Sequence, residues 1–240
     1  MRNTINILGV NIDNLSANEA LERAEEFAKS EGTSVIYTPN PEIIMEAHKD
    51  DEFKEILNSS DMCVPDGIGV VYGAKILKTP LQERVAGFDL SCGLMSKMAK
   101  WGGSVFLFGA KPGIAEKAAE KLCEEYEGLK IAGVRNGYFK DADEEDIVKS
   151  ISESGANLLL VCLGAPKQEK WIYKYKDRLN VNLCIGAGGS LDVIAGEAKR
   201  APDIFIKMNL EWFYRLLKQP SRIGRFAALP KFLIEVMKNK

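Results

Sequence analysis

The sequence of 240 residues has no apolar run of the roughly 18 residues that a membrane-spanning helix requires. It has no Cys-x-x-Cys pair among its five cysteines, which argues against a paired-cysteine zinc or redox site. The P-loop is missing, and no glycine-rich turn completes the dinucleotide fingerprint, so NAD binding has little support. The number of cysteines is odd and three of them lie in apolar runs, so we expect buried, reduced thiols and a cytoplasmic protein. No long apolar segment follows Met1, and we therefore also expect that there is no signal peptide.

Charge is nearly balanced over the chain but is divided unevenly along it. Residues 197–240 carry ten Lys or Arg and four Asp or Glu, a net of +6, whereas residues 1–196 carry a net of −8. We therefore predict an α/β core over residues 1–195 and a basic amphipathic helical appendage over residues 196–240. Two interpretations of the appendage stay open. Its helices pack on the core, or their apolar face enters a membrane while the cations meet anionic headgroups.

Short apolar runs alternate with amphipathic segments through the second half of the chain. The runs are Ser104–Phe108, Leu129–Val134, Leu158–Leu163 and Val181–Ile185. This alternation is typical of a parallel sheet flanked by helices on both faces, so we predict a Rossmann-like α/β core. Nearer the N-terminus we predict a first strand over residues 5–12 and a helix that opens with the capping box Ser16 to Glu19. The single histidine, His48, is flanked by charges and is predicted to be solvated.

Asp66 stands in the turn Pro65-Asp66-Gly67, directly after a short apolar run. An acid at the carboxyl end of a buried strand points into the crevice where open α/β sheets bind ligands. The alternative is that Asp66 caps the helix that begins near Ile68. A second proline-stiffened turn, containing Thr38 and Asn40, follows the preceding apolar run. Two such loops at successive strand ends indicate the wall of a pocket.

Most of the later strands run into a glycine, and two of the following loops are rich in polar residues. Glycine lets a phosphate approach the backbone, and the free N–H groups of the next helix attract an anion. Helix capping and dipole matching are the structural alternative for the polar residues. The residues concerned are Gly109, Gly164, Lys167, Gln168, Gly186, Gly188 and Asp192.

Two further features also have a structural alternative. Arg84 lies near a glycine turn and is either an anion ligand or a surface ion-pair partner, and the second is the more common case. Asp141-Ala142-Asp143 matches a DxD metal-binding pattern, but it stands at the start of an acidic helix. We therefore interpret it as helix capping and predict no metal site.

Several of these loops occur together in one order, and in that order the chain resembles the WecG/TagA/CpsF glycosyltransferase family nearly end to end. The motifs that carry the resemblance are Thr38-Pro39-Asn40-Pro41-Glu42, Pro65-Asp66-Gly67-Ile68-Gly69, Glu83-Arg84, Gly164-Ala165-Pro166-Lys167-Gln168-Glu169, Lys199-Arg200-Ala201-Pro202, Glu211-Trp212 and Arg215. The resemblance implies transfer of N-acetylmannosamine from its UDP donor to undecaprenyl-diphosphate-linked N-acetylglucosamine, with inversion and without a metal or other cofactor. In the branch that the chain resembles most, this step builds the linkage unit of wall teichoic acid.

The resemblance also leaves some matters open. Related members use other UDP sugars for other surface polysaccharides, and this remains an alternative for the donor. We expect peripheral attachment to an anionic membrane at its cytoplasmic face and no nucleic-acid partner, whereas homo-oligomerisation stays open. Two functions of other classes are weaker alternatives. An oxidoreductase would need the missing dinucleotide fingerprint, and a membrane-binding module without chemistry would leave the polar loops unexplained.

Inverting transfer needs a base that takes the proton of the acceptor hydroxyl while the sugar carbon is attacked from the face opposite UDP. Asp66 is the candidate base, and Thr38 and Asn40 are expected to hold a sugar by neutral hydrogen bonds. The residues expected to bind substrates are Arg84, Gly109, Gly164, Lys167, Gln168, Gly186, Gly188 and Asp192 for the UDP donor, and Arg215, Arg222 and Arg225 for the acceptor diphosphate.

Overall fold

Parallel strands form the centre of the protein, of which the computed structural model describes residues 2–208, 210–211, 213–214 and 228–240. The strands are β1 (Thr4–Ile7), β2 (Val10–Asp13), β3 (Ser34–Tyr37), β4 (Met62–Cys63), β5 (Ser104–Gly109), β6 (Lys130–Arg135), β7 (Leu158–Cys162) and β8 (Leu183–Gly186). Six of them form a sheet in the order β4-β3-β8-β7-β5-β6, and all neighbours in this sheet are parallel. The predicted parallel sheet is confirmed.

Helices cover both faces of this sheet. They are α1 (Ala17–Lys29), α2 (Pro41–Ala47), α3 (Asp51–Asn58), α4 (Ile68–Ile76), α5 (Gly87–Ala99), α6 (Ile114–Glu125), α7 (Glu144–Glu153), α8 (Lys167–Tyr175), α9 (Ser190–Ile194), α10 (Asp203–Lys207) and α11 (Ala228–Lys238). One apolar cluster joins the sheet to α1, α5, α6 and α9, and a second joins it to α2, α3, α7 and α8. The Rossmann-like α/β core predicted from the sequence is therefore confirmed.

Local signals placed some elements correctly and one wrongly. Ser16 and Glu19 form the predicted capping box at the start of α1. The single first strand predicted over residues 5–12 is wrong, because this segment is an antiparallel hairpin of β1 and β2. Leu8 and Gly9 both have positive φ, 53° and 93°, as a two-residue hairpin turn requires. In a continuous strand the buried residues on either side of this turn would face opposite ways.

The C-terminal helix α11 packs against α2 and α4. Phe232 and Val236 are fully buried in the same apolar cluster as the β1–β2 hairpin. A Cβ atom at Gly73 would lie 2.8 Å from the Phe232 ring, so glycine permits this close approach. His48 is half-buried rather than solvated, and its Nε2 lies 3.7 Å from Oε1 of Glu235 on α11. Helix α11 of the predicted appendage thus packs on the core, and the division of the chain at residue 195 stays a prediction.

Within the described ranges, no helix has the length and apolar character needed to cross a membrane.

We predict that Phe232→Ala lowers the free energy of unfolding by about 3–5 kcal/mol, because it empties a fully enclosed site between α11 and α4. Ile234→Ala on the same helix is the control. Its side chain is 48% exposed, so the expected loss is under about 1 kcal/mol. Urea denaturation of both variants measures the difference. Equal losses would show that α11 is not an integral part of the core.

Candidate active site

The turns after β3 and β4 meet at the carboxyl edge of the sheet. The Asp66 N–H donates to the Pro39 carbonyl at 3.1 Å, so the two proline-containing turns are joined directly. The next segment is tied to the same place, since the Val85 N–H donates to the Pro65 carbonyl at 3.0 Å. Parallel pairing of β3 with β4 brings these turns together. The two turns predicted to form a pocket wall therefore adjoin each other, and their role in a pocket stays a prediction.

Asp66 does not cap the helix that follows it. The residue before α4 is Gly67, with φ of 94°, and no side chain caps this helix. The Asp66 side chain is instead about one-third exposed, at 33%, and its Oδ1 lies 3.7 Å from Nη2 of Arg84. The capping alternative for Asp66 is therefore wrong, and its carboxylate is partly open to solvent at the sheet edge.

Arg84 lies between two carboxylates. Its Nη2 donates to Oε2 of Glu211 at 2.8 Å and lies 3.7 Å from Asp66 Oδ1. The side chains of Arg84 and Glu211 are only 15% and 9% exposed. Arg84 Nε is buried and has no hydrogen-bond partner in the described part of the chain. This arginine is thus an ion-pair partner, but a largely buried one that couples the C-terminal segment to Asp66.

Thr38 and Asn40 make structural hydrogen bonds of their own. Thr38 Oγ1 donates to the Gly186 carbonyl at 3.3 Å, linking the end of β3 to the end of β8. Asn40 is the N-cap of α2, where its Oδ1 accepts from the Ile43 N–H at 3.1 Å. The cap uses the Asn40 amide oxygen and does not use the amide nitrogen. Both residues border the Asp66 turn, as predicted.

A buried polar chain links α8 to the loop after β8. Gln168 Oε1 accepts from the Gly188 N–H at 3.0 Å, and Gln168 Nε2 donates to Glu169 Oε1 at 2.8 Å. Both side chains are almost fully buried. Burial raises the pKa of Glu169 to about 7 against the opposing effect of the Gln168 hydrogen bond, and the Glu46 carboxylate adds to the rise. Sequence reasoning included Gln168 but missed Glu169, because burial of the acid was not visible.

A cleft of about 190 Å³ lies at the carboxyl ends of the neighbouring strands β5 and β7. From here the chain continues from β5 to β6 on one side and from β7 to β8 on the other. This is the switch point at which open α/β sheets bind ligands. Ala110 adopts φ of 56° at this point, a strained conformation for a residue with a side chain. The lining residues are Ala110, Lys111, Gly137, Tyr138, Cys162, Leu163 and Asp192.

Asp192, predicted as a ligand of the uridine, is one of the lining residues, whereas Lys111 and Tyr138 were not among the predicted site residues. Tyr138 is 63% exposed, and an exposed aromatic residue in a loop carries no periodic signal. Gly109 ends β5 beside the cleft, and a Cβ there would lie 2.2 Å from the Cys162 carbonyl oxygen. Gly109 is therefore required by close strand packing, in addition to any ligand. A larger cleft of about 340 Å³ lies between β6 and α7, away from the strand-end loops.

The remaining predicted residues have mixed outcomes. Lys167 is exposed, with Nζ 4.1 Å from the centre of the Phe139 ring. Asp143 accepts from the Lys140 N–H at 2.8 Å, which confirms the capping interpretation of that motif. Among the described residues, no group of three or more His, Cys, Asp or Glu side chains is arranged to hold a metal ion. Gly164 begins the loop to α8 with φ of 78°. The predicted acceptor ligands Arg215, Arg222 and Arg225 lie outside the described residues.

We predict that Glu169→Gln changes how stability depends on pH. The folded protein keeps the Glu169 proton up to about pH 7, whereas the unfolded chain loses it near the ordinary glutamate pKa of 4.5. The stabilisation from this group is complete below pH 4.5 and is lost as pH rises through 7. The free energy of unfolding of the variant, relative to that of wild type, should therefore rise by up to about 3 kcal/mol between pH 4.5 and about pH 8.

Urea denaturation at both pH values measures this gain. Glu46→Gln is the control, because Glu46 is exposed and contributes only a secondary part of the shift. A stability difference between Glu169→Gln and wild type that stays constant with pH would contradict the assignment.

Sequence comparison finds related proteins that match most of the chain. A sequence model of the glycosyl transferase WecG/TagA/CpsF family matches residues 5–240. A Bacillus subtilis protein is 40% identical over 207 residues, covering 86% of this chain and 80% of that protein. A Staphylococcus aureus protein is 35% identical over 238 residues, covering 98% and 93%. Both are named N-acetylglucosaminyldiphosphoundecaprenol N-acetyl-beta-D-mannosaminyltransferase. A match of this extent and identity shows that the chain belongs to the glycosyl transferase WecG/TagA/CpsF family.

Proposed function

We propose that the protein is an inverting glycosyltransferase that moves N-acetylmannosamine from UDP-N-acetylmannosamine to undecaprenyl-diphosphate-linked N-acetylglucosamine. This step belongs to synthesis of the wall teichoic acid linkage unit. The names of the Bacillus and Staphylococcus relatives support the sugar and the acceptor. The observation that carries the chemistry is the partly exposed Asp66 carboxylate beside Arg84 at the carboxyl edge of the sheet. Another UDP sugar is the alternative donor.

Asp66 acts as the general base. Its carboxylate takes the proton of the attacking acceptor hydroxyl as that oxygen forms a bond to the anomeric carbon of the donor sugar. The bond from this carbon to the UDP oxygen breaks at the opposite face, which inverts the configuration. Asp66 suits this role because it does not cap α4 and because its side chain is partly exposed at the sheet edge. Thr38 and Asn40 border the same turn and orient a sugar.

The leaving UDP takes up negative charge that the protein must stabilise. Arg84 lies beside Asp66, and its partly buried guanidinium is more effective there than an exposed charge. The glycine loop after β7 supplies backbone N–H groups, and Lys167 lies at the start of α8. Because Glu211 also pairs with Arg84, its carboxylate sets the orientation of the guanidinium towards Asp66.

The uridine part of the donor belongs in the cleft at the carboxyl ends of β5 and β7. Asp192 lines this cleft, and a carboxylate accepts hydrogen bonds from ribose hydroxyls or from the uracil N–H. Tyr138 offers an aromatic face for the base, and Lys111 offers a cation for a phosphate. A volume of about 190 Å³ holds only part of a nucleotide, so the rest extends along the strand ends towards Asp66.

The test of the base is Asp66→Asn, which keeps the size of the side chain and removes its ability to take a proton. We expect turnover to fall by about 10²–10⁴ while the dissociation constant for UDP changes little. Asp177→Asn is the matched control, since Asp177 is exposed before β8 at the opposite edge of the sheet. Sugar transfer and calorimetric UDP titration are measured on each variant. Near wild-type turnover in folded Asp66→Asn protein would remove Asp66 from the mechanism.

We further propose that transfer does not require a metal, because side-chain cations face the diphosphate in its place. Activity is therefore expected to persist in excess EDTA. Asp141→Ala should also leave the rate unchanged, since this motif is a short capped turn. Loss of activity in EDTA, with recovery on addition of Mn²⁺ or Mg²⁺, would reverse this part of the proposal.

The basic C-terminal segment is proposed to bring the enzyme to the cytoplasmic face of the membrane, where its acceptor lies. Ile204 and Met208 are 64% and 61% exposed at α10, which supports an apolar contact with lipid. Arg215, Arg222 and Arg225 are proposed to grip the acceptor diphosphate. Each charge-assisted contact of this kind contributes about 1.5–3 kcal/mol.

We therefore expect Arg215→Glu, Arg222→Glu and Arg225→Glu each to reduce acceptor use by about tenfold or more. Binding to phosphatidylglycerol vesicles should weaken with these changes and with added salt. Lys149→Glu on α7 is the control, because it reverses an exposed charge on the body of the protein. If the arginine variants transfer sugar and bind vesicles as well as the control does, the segment has only a packing role.

A further inference from the structure

The polar chain from Glu169 to Gly188 is built into the core rather than placed on the surface. Glu169 is 2% exposed and Gln168 is 3% exposed, although both are polar. Only one Glu169 carboxylate oxygen has a hydrogen-bond partner among the described residues, and this partner is the Gln168 amide. Burying such an acid destabilises the fold relative to an apolar residue of the same size. Packing alone therefore does not account for Glu169.

The geometry fixes which way the Gln168 amide points. A carboxyl oxygen of Glu169 accepts from Nε2, so the amide oxygen of Gln168 must face the Gly188 N–H. The same amide lies against the end of β8, where a Cβ at Gly186 would be 3.0 Å from Nε2. Without Glu169, the amide would have no acceptor for Nε2 and would lose its preference for this orientation.

The loop held in this way lies at the candidate donor site. It joins β8 to α9, which carries Asp192. Thr38 Oγ1 donates to the Gly186 carbonyl of the same loop, and the Tyr37 hydroxyl donates to the Glu169 carbonyl at 3.2 Å. The end of β3 and the start of α8 therefore hold the β8 loop from two sides.

We propose that Glu169 is a positioning residue for sugar transfer, which orients the Gln168 amide and thereby the Gly186–Gly189 loop that binds the UDP part of the donor. This inference rests on the proposed function for its kinetic consequences. The positioning itself does not depend on any ligand, because it is a chain of two hydrogen bonds within the protein.

The first experiment measures the loop in the absence of ligand. Glu169→Leu removes the acceptor at nearly constant volume, and hydrogen exchange of the Gly188 N–H should become at least about tenfold faster. Glu169→Gln should keep wild-type exchange, because its amide oxygen still accepts from Gln168. Glu46→Gln is the control for loss of a nearby exposed carboxylate, and its Gly188 N–H should also exchange at the wild-type rate. Unchanged exchange in Glu169→Leu would overturn the proposal.

The second experiment measures function in a double-mutant cycle with UDP as the binding probe. Glu169→Leu is expected to raise the donor KM and the UDP dissociation constant by about tenfold, with the acceptor KM unchanged. General destabilisation would instead lower the active fraction, and so kcat, at constant KM. The Glu169→Leu change should have no further effect in a Gln168→Leu background, because both act through one amide.

Outcomes for the inference and for the proposed function are distinguishable. If the losses from Glu169→Leu and Gln168→Leu multiply, or if Glu169→Gln fails to restore the donor KM, Glu169 does not act through Gln168 and the inference is wrong. The variants can show the expected pattern of Gly188 exchange while wild-type protein neither binds UDP nor transfers sugar. In that case the proposed function fails, and the kinetic part of the inference fails with it.

Discussion

Parallel alignment of six strands, covered on both faces, controls where polar groups can lie in this protein. Because both faces of the sheet are covered by apolar side chains, polar side chains are disfavoured along its central strands and collect where the strands end. β7 illustrates this restriction, since all five of its residues are buried. Several polar loops therefore converge at the carboxyl edge of the sheet, and Asp66, Arg84, Gln168 and Asp192 lie along it.

Two carboxylates share the Arg84 guanidinium, and this sharing joins the C-terminal part of the chain to the sheet edge. Glu211 makes the shorter contact at 2.8 Å, and Asp66 lies at 3.7 Å. An ion pair with side chains this little exposed is screened less than a surface pair. Movement of the segment that carries Glu211 would therefore change how much of the Arg84 charge acts on Asp66. This coupling gives the appendage a route to influence Asp66, the proposed base.

Glu169 shows a different use of burial. Glu169 has one side-chain hydrogen-bond partner within the described ranges, and such an acid in an apolar setting lowers stability, as its raised pKa of about 7 indicates. We attribute to this acid the orientation of a single amide. Buried polar groups of this kind specify geometry more than they stabilise the fold, and the loop in question borders the candidate nucleotide cleft.

Periodicity and local turn chemistry were enough to predict the class of fold, the positions of the later strands and the loops that carry polar side chains. They also predicted the capping role of Asp143 and the turn around Asp66, because each of these depends on residues close together in the chain. The hairpin over residues 5–12 and the place of α11 in the core could not be predicted in this way. The contact of Glu211 with Arg84 and the burial of Glu169 were equally hidden. The hairpin is local, but its turn places Leu8 at positive φ, and leucine is not among the residues that signal such a turn. The other three depend on contacts between residues far apart in the chain, and burial, ion pairing and pKa are set by those contacts rather than by neighbours in sequence.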